Sequence, residues 1–187
     1  MVTPIPKRRL PRNPWQAALV VLLVSTLSVW KAWGPETSSD HSPQPADGQQ
    51  HRVARVVDGD TLVLADGKQR VRLIGADTPE TVKRDWPVEP WGPEATAFTQ
   101  KFLADGDNRV RLEFDAERHD KYGRLLAYVW RGDQMLNEEL IRAGLARAEL
   151  WYHYSEAKKD RFRRAELDAK AARRGIWSDA RPAARGL

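Results

Sequence analysis

The sequence predicts an α+β domain: a five-stranded closed β-barrel with three packed helices, preceded by an N-terminal apolar helix and a flexible linker. Three observations predict it. Short β-branched stretches separated by turn signals recur between residues 53 and 130. A helical pattern is inserted after the third of them, and two more follow the fifth. Before residue 51, an apolar run and then a Pro/Ser/Gly/Gln-rich stretch differ in character from everything downstream.

The elements follow in chain order. Lys7, Arg8, Arg9 and Arg12 precede an uncharged apolar run over residues 15–30. As a helix this run spans about 24 Å, a little under the hydrocarbon core of a bilayer. Extending it to Trp33 takes in Lys31, which can snorkel, and sets Trp15 against Trp30 and Trp33 as an aromatic belt. Residues 1–33 are therefore expected to be a signal anchor, with the basic flank cytoplasmic and the rest of the chain extracytoplasmic. A cleaved signal peptide and a secreted product is the alternative, but no clean A-x-A site follows the run. Residues 34–50 carry almost no apolar surface and read as a flexible linker.

Strands are expected over residues 53–57, 61–65, 69–74, 109–115 and 125–130. Asp66-Gly67 is a hairpin signal between the second and third. In the third, Val71 and Leu73 share one face and Arg70 and Arg72 the other; in the fourth, Val110, Leu112 and Phe114 alternate with Arg109, Arg111 and Glu113. Gly92-Pro93-Glu94 opens the first helix, with Ala95, Phe98 and Phe102 inward. The second is expected at 136–146. The third is expected at 156–173, capped by Ser155, closed by Gly175, and buried through Phe162, Ala165, Ala169 and Ala172. The folded domain thus runs over 51–178, with a tail at 179–187. An OB-type barrel is the natural architecture, and although such barrels often bind oligonucleotides, the fold alone assigns no function.

Composition narrows the chemistry. The 187 residues include no cysteine, which excludes disulfides, thiolate zinc sites and a cysteine nucleophile. The net charge is +5, of which residues 51–187, with 26 basic and 23 acidic side chains, contribute +3. So small an excess is compatible with a polyanionic partner without requiring one.

Three clusters stand at strand ends or in turns: Asp58-Gly59-Asp60-Thr61, the stretch 72–81 (RLIGADTPET), and Asp120-Lys121-Tyr122-Gly123-Arg124. Each alone is ordinary turn chemistry. Together they suit phosphodiester cleavage, which needs a hard cation, a nucleophilic water and positive charge on the phosphoryl oxygens. Asp60 and Asp77 offer hard oxygen ligands, favouring calcium or magnesium over zinc. Glu80 can orient or deprotonate water, and Arg72 and Arg124 can fork onto phosphate oxygens.

In the segments VVDGDT, RLIGADTPET, GPEATAFT, DKYGRLLAYV, LNEELIRAGLA and GIWS, taken in order over residues 53–177, the chain resembles the staphylococcal nuclease (thermonuclease) family. The resemblance implies a five-stranded OB-type barrel with three helices and Ca²⁺-dependent cleavage of DNA and RNA to 3′-phosphate products. By position it implies that Asp60, Asp77 and the carbonyl of Thr78 hold the metal, and that Arg72, Glu80 and Arg124 are catalytic. It implies substrate contacts at Lys121, Tyr122 and Tyr152. The chain departs from the pattern at Leu150, where the family has an aromatic that packs on the base. Trp151, Tyr152 and Tyr154 lie close by as substitutes or as core. A domain of this kind is expected to be monomeric and to need no obligate protein partner. The alternative function is a catalytically inactive barrel, tethered to the membrane, that binds nucleic acid or protein. The intact set Asp60, Arg72, Asp77, Glu80 and Arg124 speaks for catalysis.

Overall fold

A computed structural model describes residues 46–82 and 87–178. The expected anchor at 1–33, most of the linker and the tail at 179–187 lie outside the described residues. Among the described residues no helix is long and apolar enough to cross a membrane.

The barrel is built from β1 (Gln50–Asp58), β2 (Thr61–Leu64), β3 (Arg70–Leu73), β5 (Arg109–Glu113) and β6 (Leu125–Arg131). They pair in the order β3-β2-β1-β5-β6, and a parallel β3–β6 pairing closes the ring. The short β7 (Gln134–Met135) folds back antiparallel onto the end of β6, while β4 (Ala76–Asp77) pairs with β8 (Arg147–Ala148) in a separate two-stranded sheet. The expected five strands and three helices are all present, so the fold is the predicted closed α+β barrel.

β1 is longer than the alternation of residues 53–57 suggests, because its two halves serve different neighbours. Gln50–Arg52 pair with β5, and residues 53–58 pair with β2. Register shifts at Val53/Arg55 and Val56/Asp58 interrupt the second half, as bulges do where a strand bends to close a barrel. The alternation in β3 and β5 holds: Val71, Leu73, Val110 and Leu112 are buried, and Arg70 and Arg109 are exposed.

Helix α1 (Gly92–Ala104) carries Pro93 and Glu94 in its first turn and buries Ala95, Thr99, Phe102 and Leu103, with Phe98 half-buried against the same core. Helix α2 (Leu136–Arg142) is shorter than the expected 136–146. It stops in a Schellman motif: Gly144, at φ +71°, donates to the Ile141 carbonyl, and Leu145 donates to the Leu140 carbonyl. Leu145 and Ala146 are buried, which is why they read as helix, but they belong to the turn.

Helix α3 (Glu156–Ala171) buries Phe162, Ala165 and Ala169; Ala172 is the C-cap and is exposed. Ser155 occupies the expected N-cap position without a side-chain cap bond; its carbonyl accepts from the N–H groups of Lys158 and Lys159, and its own N–H donates to Asp115 Oδ2 at 2.9 Å. Arg173, at φ +49°, makes the first left-handed turn past the helix, and Gly175, at φ +52°, is left-handed as expected. Gly175 lies against Gly144 so closely that Ile176 N–H reaches the Gly144 carbonyl at 2.8 Å.

Candidate active site

The turn between β1 and β2 places Asp60 inside the protein, at 1% exposure. Gly59 is required there by close approach: a Cβ would stand 2.7 Å from that of Ala95 and 2.8 Å from Thr78 Cγ2. The turn is thus clamped between α1 and the loop after β4, and Thr99 of α1 donates to the Gly59 carbonyl at 2.6 Å. Burying a carboxylate needs full compensation. Asp60 Oδ2 receives the N–H and hydroxyl of Thr78 at 2.8 and 2.9 Å, and Oδ1 receives the Thr61 hydroxyl at 3.0 Å and the Arg72 guanidinium.

Arg72, on β3, is the bridge. One terminal nitrogen meets Asp60 and the other meets Asp77 Oδ1 at 2.6 Å, with Glu149 Oε2 at 3.8 Å beyond it. Burial works to discharge Arg72, but the charge of Asp60, then the bond and charge of Asp77, more than offset it and hold the guanidinium firmly protonated. The two aspartates, 17 residues apart, therefore converge on one small volume. Asp77 is delivered by β4, which β8 holds through the Asp77–Arg147 pairing.

Arg124 enters from the other wall. Its Nε donates to Asp120 Oδ2 at 2.6 Å, while Asp120 Oδ1 takes the N–H groups of Tyr122 and Arg124, each at 2.9 Å. Burial alone would raise the Asp120 carboxyl, but these bonds and the Arg124 charge hold it below the usual range. Arg72, Asp77 and Arg124 line one open cleft of about 530 Å³ together with Lys121, Tyr122 and Tyr152. Lys121 Nζ sits 5.1 Å from the Tyr122 ring, and Tyr122 is 72% exposed.

Glu80 is set beside this cleft rather than in its lining. Its Oε1 accepts the Val82 N–H at 3.3 Å, its N–H donates to Glu89 Oε2 at 3.1 Å, and its carbonyl accepts from Glu89 N–H at 2.9 Å. It is close enough to Asp58 for its charge to be felt there. Burial first, then the charge of Asp60 and its hydrogen bond, then the charge of Glu80, push the Asp58 carboxyl up to about 7. This end of the barrel is a region of concentrated negative charge.

The donor set fits a hard divalent ion. Asp60 and Asp77 offer carboxylate oxygens at one place, and the crowding of Asp58, Asp60 and Glu80 is the kind a dication relieves. Among the described residues no group of three His, Cys, Asp or Glu side chains forms a ready cage, so such an ion would complete its shell with backbone carbonyls and water.

A profile of the staphylococcal nuclease homologue family matches residues 70–179. The chain belongs to this family. Its relatives include a thermonuclease of Staphylococcus hyicus, 43% identical over 165 residues that cover 87% of this chain and 93% of that protein. A thermonuclease of Staphylococcus intermedius is 48% identical over 132 residues, 70% of this chain and 77% of its own. Endonuclease YncB of Bacillus subtilis is 41% identical over 127 residues, 66% of this chain but 59% of its own length. The chain is a nuclease that hydrolyses phosphodiester bonds.

The site also holds residues to which the sequence assigned no role. Glu149 follows β8 and adds a third carboxylate beside Arg72; burial, then the charge of Asp77, raise its carboxyl. Asp120 positions Arg124. Asn137 of α2 is fully buried and pins the site from below: its amide N donates to Ile74 O at 2.9 Å, and its Oδ1 accepts from Val129 N–H at 3.0 Å. A polar residue in an otherwise apolar α2 stripe was the one sequence signal for it. The aromatic cluster divides: Tyr154 is 8% exposed and packs in the core with Leu150 against it, whereas Trp151 and Tyr152 stack on each other in the open.

Proposed function

We propose that this nuclease is calcium-dependent, cleaves DNA and/or RNA, and leaves 3′-phosphate ends. The observation that carries the reading is the convergence of Asp60 and Asp77 on Arg72, with Arg124 lining the same cleft. In this reading Asp60, Asp77 and the Thr78 carbonyl hold the ion. Bound there, calcium supplies neutralisation of charge on a phosphoryl oxygen. Glu80 accepts the proton of a water molecule that attacks phosphorus, and the bond from phosphorus to the 5′-oxygen breaks. Arg72 and Arg124 compensate the charge that builds on the phosphoryl oxygens. Lys121, Tyr122 and Tyr152 bind the nucleotide flanking the scissile bond. Residues 1–33 tether the domain to a membrane through the linker at 34–50, with the nuclease domain extracytoplasmic and monomeric.

Incubating the full chain with single- and double-stranded DNA and RNA, with calcium or with excess chelator, and identifying the product ends tests the chemistry. Cleavage that calcium restores, with loss of activity in Glu80→Ala and in Arg124→Ala, is expected. Undiminished cleavage in excess chelator, or full activity of either variant, overturns the assigned roles.

A further inference from the structure

The alternation of Arg109 and Arg111 against Val110 and Leu112 puts two arginines on the outside of β5 that the cleavage site does not use. They line a groove of about 320 Å³ with Trp130 and Arg131, at the end of β5 and β6 remote from Arg124. From Arg124 to Arg131 the chain runs seven residues along β6, about 23 Å at a strand rise of 3.3 Å.

The charge here is left uncompensated. Arg52 stands directly opposite Arg109 across the β1–β5 pair, an arrangement of like charges that costs stability. Among the described residues neither of them, nor Arg111, has a carboxylate within ion-pair distance. Neighbouring cations differ: Lys158 pairs with Glu113, Arg161 with Glu138, and Arg131 shares Asp105 at 3.3 Å. The floor is aromatic. Trp130 is paired across the strands with Arg111, whose guanidinium lies 5.0 Å from the indole centroid. Arg111 held over an indole, with the uncompensated guanidinium of Arg109 beside it, matches the oxygens of a phosphodiester.

We propose that this groove is a second nucleic-acid contact, which takes backbone phosphates of the strand being cut at a distance from the cleft. The proposal rests on the reading that nucleic acid is the substrate. At the stacked rise of about 3.4 Å per nucleotide, at most about seven nucleotides separate the two sites, so a trinucleotide fills the cleft without reaching the groove.

The test compares the full chain with Arg109→Gln and with the double variant R109Q/R111Q. Affinity for a 16-nucleotide DNA single strand is read by fluorescence anisotropy in chelator, as a function of salt. Initial rates on the same strand and on a trinucleotide are read with calcium. The double variant is expected to bind the 16-mer at least fivefold more weakly. Its slope of log affinity against log salt should be shallower by about 1.4, for two single-strand phosphate contacts. KM for the 16-mer rises while kcat holds, and the trinucleotide is cut as before. Arg109→Gln, whose side chain is exposed and carries no packing, shows about half the change in slope. Unchanged affinity and slope in both variants overturn the proposal, as does an equal loss on the trinucleotide. So does loss of binding to phosphatidylglycerol vesicles with 16-mer affinity intact, which makes the groove a lipid contact. A wild-type chain that cuts neither substrate refutes the proposed function instead, a result distinct from any of these.

Discussion

Thr78 donates twice to one oxygen of Asp60, through its N–H at 2.8 Å and its hydroxyl at 2.9 Å. Thr78 entered the sequence reading for its carbonyl, yet its side chain is what aims the buried carboxylate. Thr78→Val keeps the shape and the N–H bond but removes the hydroxyl bond. The expected cost is about 1–2 kcal/mol of unfolding free energy, read by urea titration, from an under-satisfied buried oxygen. On the proposed calcium reading, affinity for the ion should fall about tenfold, as metal affinity does when a group supporting a ligand is lost. Thr78→Ser should recover most of both. A Val variant with wild-type calcium titration would show that the hydroxyl does not orient Asp60.

Asp120 and Arg124 make a second such pairing. The carboxylate binds Arg124 through Nε and fixes the loop backbone through its other oxygen. Asp120→Asn retains an oxygen for the two N–H groups but loses the charge beside Nε. Its kcat is expected to drop roughly tenfold with KM little changed, because the role proposed for the Arg124 guanidinium lies where charge develops. Asp120→Ala, which also frees the loop, should raise KM as well. Equal kcat in all three proteins would detach Asp120 from Arg124's role.

What the sequence disclosed, and what it withheld, follows from how each feature is encoded. β3 and β5 were legible because alternation writes one buried face directly into residue order. Asp60, Asp77 and Arg124 were legible as residues at strand ends, though their meeting at one place depends on barrel closure through the β3–β6 pairing. Glu149 was invisible: a two-residue strand delivers it, and so short an element leaves no periodicity. The end of α2 was misplaced because a Schellman turn buries Leu145 as a helix would. Ser155 stands at the N-cap as its composition suggests, but the bond from its N–H to Asp115, 40 residues away, has no local signature.

Asp58 gives the pH dependence. Its carboxyl is raised from 3.8 to about 7, by burial first and then by Asp60 and Glu80. A group with a raised folded-state pKa favours the folded state fully below its unfolded value, and that contribution is lost as pH climbs through the folded one. In chelator, Asp58→Asn and wild type should therefore differ in one direction near pH 4 and shift relative to each other up to pH 7. Over that window the variant should gain on the order of 1–3 kcal/mol relative to wild type. Calcium should shrink the gain, since a dication stabilises the ionised cluster. Parallel stability curves from pH 4 to 8 without metal would show that Asp58 does not carry the strain assigned to it.

Trp151 and Tyr152 stack at 3.7 Å with their planes 28° apart, and they are 71% and 46% exposed on the rim of the cleft. An open aromatic pair of this kind adds little to a core and offers a free face to a base. Base–aromatic stacking contributes about 1–3 kcal/mol per base and requires the base to be unpaired. Trp151→Ala should therefore raise KM for single-stranded substrates roughly five- to hundredfold, with kcat nearly constant, and should alter KM for a stable duplex far less. Stability should barely move, because the indole is exposed. If KM rises equally for single strand and duplex, the pair acts on loop geometry and not on bases. If KM moves for neither, the exposed stack does not contact the bases.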